Sequence, residues 1–470
     1  MLYPSCFYYP GEMGREQVKS AQLTLASYIS RFFPVEYADF EHLIGRPQTA
    51  VQIRRFERQV REYLGKKDFD ILAISCWTSL CYQATMMTAR IARELYPKRL
   101  IIVGGYHPTA RPQDFVAGDN IFDYVIRGEG EVAMKQVAES FSTAGRPGQT
   151  QIITSPPLQP DDYVHVNWEL VDSIIESNFP EGLNTLVVYL SRGCPFNCSF
   201  CMETLKNRQW RPFPVDRAIA QIEQTAERYK FIGLGIGDAC FGVRPRWRKE
   251  FLSRLADLKP DYWVLCETRP EYLDEDDIEL MGRIKFQVQL GIESCSLRML
   301  SIMNKSKQPQ RFLDNFRRVS RLMTEHGIVH GANLVFNHPG ETEETLKETF
   351  DFVDAEIARG PSALIWTCHS YTHFPGSEVD LHRGDYEQKY GAEFLCPEWW
   401  LEEENQYVSS RRVVPSGGLR GEKLNLWMTM LRDRDQQLRE NMTPTAFRLA
   451  ASTVYPHWRT DPRYDDSAAM

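Results

Sequence analysis

The chain has no stretch of about 18 consecutive apolar residues, so no membrane-spanning helix is expected. It also lacks a basic excess: 55 Lys and Arg face 63 Asp and Glu, for a formal net charge of −8. That balance argues against nucleic acid or an acidic membrane surface as the main partner. The opening residues Met1-Leu2-Tyr3-Pro4-Ser5-Cys6 have neither the basic nor the apolar region of a secretory leader, and the expectation is a cytoplasmic protein. No internal repeat and no low-complexity tract is evident, which speaks against a solenoid. Eleven cysteines in 470 residues are too few for a disulfide scaffold. No histidine precedes His42.

What is present is ordinary for a globular chain, with 43% hydrophobic and 25% charged residues. The length suggests two or three domains. Over residues 1–145, short apolar runs (2–3, 35–39, 70–75, 100–103, 123–126) alternate with helical stretches (17–33, 51–64, 82–95 and from 131). Such alternation predicts a doubly wound, flavodoxin-like parallel sheet with a ligand at the carboxyl ends of its strands. Residues 146–183 show no sustained period and read as a linker. The alternation resumes over 184–376, with strands at 185–190, 231–236, 262–267, 285–290, 330–336 and 363–370. Six strand–helix units predict a partial (β/α)6 barrel rather than the closed eightfold one. Residues 377–470 break the rhythm and read as a small, mostly helical region that lines the barrel mouth. The fold class is therefore α/β throughout, apart from that last region.

Eight cysteines are scattered singly. Cys76, Cys240, Cys266, Cys295 and Cys368 lie in or near apolar runs and read as buried small thiols. The other three, Cys194, Cys198 and Cys201, fall within eight residues, directly after a predicted strand. Three thiolates at CxxxCxxC spacing satisfy three irons of a 4Fe-4S cluster and leave the fourth iron open. A structural zinc site is the competing reading, but it needs four ligands, and no second Cys or His pair has suitable spacing nearby.

With Phe200 just before its third cysteine, this motif resembles that of the enzymes that cleave S-adenosylmethionine (SAM) by a radical route. The segments that follow support the resemblance in order along the chain. They are Gly233-Leu234-Gly235-Ile236-Gly237-Asp238, Glu267-Thr268-Arg269, Gly291-Ile292-Glu293-Ser294, and Asn337-His338-Pro339-Gly340-Glu341-Thr342. All end predicted strands, where barrel sites are built. The resemblance implies that SAM contacts Phe200, Gly235, Gly237, Asp238, Glu267, Arg269, Glu293, Ser294, Asn337 and Pro339. It also implies reductive cleavage of SAM to a 5′-deoxyadenosyl radical, with electrons from a donor such as flavodoxin or ferredoxin.

In the first domain the loops Ser75-Cys76-Trp77-Thr78, Gly104-Gly105-Tyr106-His107 and Gly128-Glu129 are similar to those of radical SAM enzymes with a cobalamin-binding domain. The resemblance implies cobalamin as a third cofactor, contacted by Ser75, Trp77, Thr78, Gly104, Gly105, His107, Gly128 and Glu129. It implies a methyltransferase acting on an unactivated carbon of a small-molecule or peptide substrate, or alternatively a radical rearrangement, cyclisation or oxidation. His42 follows the wrong strand for an axial ligand and reads as an ordinary loop or surface histidine. Trp399, Trp400, Tyr407 and Trp427 would suit a flat or apolar substrate, or serve packing. No residue is assigned a catalytic role.

Overall fold

The computed structural model describes residues 1–9, 18, 20–116, 120–179, 183–205, 208–359, 363–440, 442–444 and 447. Part of the expected 17–33 helix (17 and 19) and the end of the chain's last segment, from 448, lie outside the described residues.

The first sheet holds β1 (Leu2–Tyr3), β2 (Ala38–Asp39), β3 (Ile71–Ser75), β4 (Leu100–Gly104), β5 (Tyr124–Arg127) and β6 (Gln151–Thr154). Their order is β2-β1-β3-β4-β5-β6, all parallel. The flavodoxin-like order expected from the sequence thus appears, extended by one strand. That strand, β6, lies in the stretch read as a linker. Its side chains are mostly exposed, and Ile152 and Ile153 alone give too short an apolar run to place it within that linker. The central strands are covered on both faces, as a parallel sheet requires. The helix Ala50–Gly65 shows the local logic. Thr49 caps its first turn, and Phe56, Val60 and Leu64, four residues apart, form its buried stripe. Each such side chain contributes roughly 1.5–3 kcal/mol of apolar burial.

The second sheet holds β7 (Leu183–Val188), β10 (Phe231–Ile236), β11 (Trp263–Thr268), β12 (Phe286–Glu293), β13 (Val329–Phe336) and β14 (Leu364–Ser370). These six parallel strands neighbour one another in chain order, the partial barrel expected from the sequence. Between β7 and β10 a short antiparallel hairpin, β8 (Ser191–Arg192) with β9 (Arg211–Pro212), closes the cysteine loop at its base. Alternation along each strand sorts the side chains. Phe286, Val288, Leu290 and Ile292 of β12 join the outer core with Phe312 and Phe316 of the helix Pro309–Glu325. Gln287, Gln289 and Gly291 therefore face the barrel interior. In register with them stand Glu267 of β11, Gly331 and Asn333 of β13, and Thr367 of β14, one pair below Val335 and His369.

A last pair, β15 (Glu393–Phe394) and β16 (Val413–Val414), belongs to the C-terminal region. That region spans both domains. Gln83 donates to the Trp400 carbonyl at 2.9 Å, and the Trp399 indole donates to the His373 carbonyl at 2.7 Å. Trp399 and Trp400 are fully buried, and Trp427 stacks on Phe350, so these tryptophans pack the fold and do not line a substrate surface.

Candidate active site between two parallel sheets

The cysteine loop is fastened from several directions. Ser199 N–H donates to the Met303 carbonyl, and the Ser199 carbonyl accepts from Val379 N–H, at 2.9 and 3.0 Å. Asn304 donates to the Asn197 carbonyl at 2.8 Å, and Asn197 donates to Glu378 at 2.7 Å. The Ser199 hydroxyl lies 3.0 Å from His338 Nε2. His338 Nδ1 lies 2.8 Å from the Pro339 carbonyl, which can only accept, so Nδ1 carries the proton and Nε2 accepts from Ser199. Burial holds this imidazole down to about 4, so it is neutral and its tautomer is fixed.

Around the loop the three thiols differ: Cys194 is drawn toward the thiolate, whereas burial raises Cys198 and Cys201. A hydrogen bond from Cys240 draws the Cys194 thiol down to about 6 against the opposing effect of burial. Burial instead pushes Cys201 up to about 12. Arg269 sits with Nη1 3.9 Å from Cys198 Sγ and its guanidinium 3.6 Å from the Phe196 ring centroid. Lys305, also buried, bonds Glu293 at 2.9 Å. Glu293 itself ends β12 at φ +70°, a strained conformation for this residue type, beside a register shift in the ladder. Gly291 gives the pair room: a Cβ there would lie 2.7 Å from Glu293 Oε1 and 2.9 Å from Lys305 Nζ. Glu267 faces the open interior. Enclosure by protein raises its carboxyl first, Glu293 adds to this, and Lys305 opposes both.

The carboxyl edges of the two sheets meet. Glu129, just after β5, bonds Arg211 of β9 and Arg192 of β8, and Glu131 bonds Arg192 at 2.6 Å. Gly376, after β14, is wedged against the Leu205 and Ala110 side chains: an added Cβ would approach them to 2.6 and 2.9 Å. Thus the hairpin that closes the cysteine loop is tied to the ligand edge of the first sheet.

Residues 188–353 match the radical SAM superfamily and residues 28–138 the B12-binding domain. The chain carries a radical SAM domain and a B12-binding domain. It is 26% identical over 308 residues to an uncharacterized methyltransferase of Pyrococcus horikoshii, covering 62% of this chain and 66% of that one. It is 26% identical over 353 residues to the anaerobic magnesium-protoporphyrin IX monomethyl ester cyclase of Rubrivivax gelatinosus, covering 70% of this chain and 61% of that one. These alignments take in about two thirds or less of the relatives' own lengths. In fold it is similar to the radical SAM methyltransferase TsrM from Kitasatospora setae with cobalamin and 4Fe-4S cluster bound, at TM-score 0.70, 16% identity and 97% coverage of both chains. A radical SAM domain takes a 4Fe-4S cluster and SAM as cofactors, and a B12-binding domain takes cobalamin.

The radical SAM domain suits the cluster by its donor set: three cysteines on one braced loop beside two cations. No three Cys, His, Asp or Glu side chains among the described residues are grouped to hold a single metal ion. For SAM, β10 offers Gly233, Gly235 and Gly237 in one inward lane, where a Cβ on Gly237 would come within 2.7 Å of Val187 and 2.9 Å of Tyr189. At the opposite wall Asn337, at φ +67°, keeps Oδ1 buried without a hydrogen-bond partner among the described residues, an acceptor left for a ligand. Pro339 follows in the same turn, and Phe200 packs edge-on to His338 at 6.3 Å. Other expected contacts are already engaged. Asp238 accepts from Leu190 N–H, Ser191 N–H and the Ser191 hydroxyl at 2.8, 2.9 and 2.6 Å, so it latches β10 to the root of the cysteine loop. Ser294 bonds Thr349 on the outer helix Glu343–Ile357. Arg269 is held by Glu271 and the Lys305 carbonyl.

In the B12-binding domain, Trp77 at the end of β3 is 39% exposed, so it is no core residue. This uncovered ring fits the face of a flat macrocycle. Gly128, at φ +83°, and Gly104 end neighbouring strands with Ser75. Thr78 caps the next turn through Leu80. His107 is no open ligand: its ring nitrogens lie 2.6 Å from Ser79 Oγ and 3.1 Å from Asp114, and aromatic rings enclose it. Glu129 serves the domain junction. Gly105, at φ +120°, is required by its own backbone, since a Cβ would lie 2.4 Å from the Cys76 carbonyl. His42 is not on the surface: its side chain is 3% exposed and 3.0 Å from Asp39. The sequence reading missed Lys305, His369 and the partnership of Cys240 with Cys194. Lys305 and His369 sit in no motif, and Cys240 acquires its meaning only through the distant Cys194.

Proposed function

We propose that this protein is a cobalamin-dependent radical SAM methyltransferase acting on an unactivated carbon of a small-molecule or peptide substrate. The observation that carries the reading is the meeting of the two ligand edges through Glu129, Arg192 and Arg211. The loops after β3, β4 and β5 thereby face the same cleft as the cysteine loop. When bound, the cluster and SAM supply a deoxyadenosyl radical for hydrogen abstraction, and cobalamin supplies the methyl group. The protein braces the loop through Ser199 and His338, sets a cation beside Cys198, and excludes water with the interdomain seal. The 1–145, 184–376 and 377–470 divisions, and the SAM and cobalamin contacts expected from the sequence, form part of this proposal. So does a cytoplasmic setting with a flavodoxin or ferredoxin as electron donor. No helix among the described residues is long and apolar enough to cross a membrane.

A second reading, radical cyclisation or oxidation without methyl transfer, is favoured by the similarity to magnesium-protoporphyrin ester cyclases. One experiment separates the two. Reconstituted, reduced protein supplied with SAM, cobalamin and substrate should form 5′-deoxyadenosine together with S-adenosylhomocysteine. Deoxyadenosine alone supports the second reading, and neither product refutes both.

A further inference from the structure

The loop after β1 and the turn after β3 are neighbours, because β1 and β3 pair in the sheet through Leu2 and Ile74. Each carries a cysteine from outside the CxxxCxxC motif. Cys6 and Cys81 are buried, at 6% and 0% exposure, and their sulfurs lie 2.9 Å apart. The hydroxyl of Tyr3, at the end of β1, touches both, at 3.6 and 3.5 Å. Two thiols in such contact need to approach by less than about 1 Å to bond.

Both segments are fixed in the positions that make this contact. Ser5 and Tyr8 flank Cys6 at φ +78° and +53°, left-handed conformations that side chains seldom adopt. The Ser5 hydroxyl donates to the Gly45 carbonyl at 3.0 Å, and Tyr8 N–H donates to the Pro47 carbonyl at 2.9 Å. Opposite, Thr78 caps the short turn Ser79–Cys81, and Cys81 N–H donates to the Thr78 carbonyl at 3.0 Å. Burial raises the Cys81 thiol, which slows its reactions. The helix Tyr82–Leu95 starts from Cys81, however, and the amino end of a helix of 14 residues favours a thiolate.

We propose that Cys6 and Cys81 form a reversible disulfide that clamps the loop after β1 to the turn after β3. That turn follows Trp77 and Thr78 on the edge where cobalamin is expected, so the stiffness of the edge would follow the redox poise. The step needs a two-electron oxidant, such as an azo compound or a peroxide. One sulfur–sulfur bond replaces two sulfur–hydrogen bonds, and the oxidant takes both electrons and both protons. With the azo reagent diamide, the Cys81 sulfur adds to one nitrogen of the N=N bond. Cys6 then attacks the Cys81 sulfur, and the reagent leaves as its hydrazine, carrying both hydrogens. The clamp does not depend on methyl transfer.

The test treats folded holoenzyme, loaded with cluster and cobalamin, with diamide under anaerobic conditions. Remaining thiols are blocked with iodoacetamide in denaturant. The unreduced protein is digested with chymotrypsin, which cuts between Cys76 and Cys81 at Trp77, and mapped by mass spectrometry. The peptides of Cys6 and Cys81 should be joined with the loss of two hydrogens, and dithiothreitol should separate them. Joined protein should melt a few degrees above reduced protein, because the bond closes a long loop of the unfolded chain. Cys6→Ser and Cys81→Ser should each abolish the link and the shift, and Cys76→Ser should leave both. Unjoined peptides, a link to Cys76 instead, a link that forms only in denaturant, or oxidised protein that melts no higher than reduced overturns the proposal. The wild-type peptide map decides even where a variant fails to fold.

Discussion

Single side chains in this barrel carry charge states that can be tested one at a time. Glu341 is buried, accepts from Asn337 N–H, and is pushed by burial from 4.5 to about 8, so it is mostly protonated at neutral pH. A carboxyl whose folded value is raised favours the fold fully below its unfolded value, here 4.5, and that contribution is lost as pH rises through about 8. Wild-type protein should therefore lose roughly 1–3 kcal/mol of stability between pH 6 and pH 9, while Glu341→Gln should be flat over that window. Thermal unfolding measured across pH checks this. Parallel curves for the two proteins would remove Glu341 from the account. The cluster ligands give a second test at this scale. Anaerobically reconstituted protein should hold about four irons and four sulfides. Replacing Cys194, Cys198 and Cys201 together with Ala should abolish them, as read by iron analysis and the visible charge-transfer band. A full cluster in that variant would mean that other residues hold it.

Loops and strands set the next level, and here Gly105 changes meaning. From the sequence it read as one of the cobalamin contacts that the resemblance implies. Its φ of +120° and the 2.4 Å approach of an added Cβ to the Cys76 carbonyl make it a requirement of the loops themselves. Gly105→Ala should cost about 1–3 kcal/mol of stability, whether or not cobalamin is present. A variant with wild-type melting but weaker cobalamin binding would restore the earlier reading. The same loops offer cobalt no free histidine, because His107 is bonded through both nitrogens and His42 is engaged by Asp39. The cobalt(II) form should accordingly show no histidine superhyperfine splitting in EPR, and His42→Ala should leave the spectrum unchanged.

The strands themselves were largely legible in the sequence, because parallel strands buried on both faces read as apolar runs such as Ile71–Ser75 and Leu364–Ser370. The cysteine triad was legible because its chemistry is local. Exposed β6 was not, since little apolar surface marks it. Nor were Lys305, whose partner Glu293 ends β12, and the bond of Cys240 to Cys194. Asp238 and Ser294 show the converse. They sit in segments that resemble SAM-binding loops, yet their hydrogen bonds are spent on Ser191 and Thr349.

Across the whole molecule, the carboxylates of Glu129 and Glu131 bind the arginines of the second domain, and Glu129 holds two of them. Glu129 is nearly buried. Burial raises its carboxyl, but Arg211 and Arg192 outweigh that and hold it below the usual range. Removing it leaves a buried Arg211 guanidinium without its charge partner. Glu129→Ala should cost about 3–5 kcal/mol. It should also raise hydrogen exchange in both the hairpin β8–β9 and the loop after β5. Protection lost on only one side of the junction would show that the domains are held together elsewhere.

The strap formed by the C-terminal region has a consequence for how the enzyme is made. Asn337 donates to the Val413 carbonyl at 2.8 Å, Gly340 N–H donates to the Pro415 carbonyl at 2.7 Å, and His373 N–H donates to the Ser410 carbonyl at 2.8 Å. A ribosome releases those acceptors only after every cluster cysteine and both sheets have emerged, and domains fold as they appear. The nascent chain thus passes through an interval in which the cleft is formed but unstrapped. Large cofactors can enter from the side during that interval. Once residues 410–415 dock, they are bonded to the turns after β13 and β14. Maturation in the presence of cobalamin should fill the site far faster than adding it to finished apoprotein.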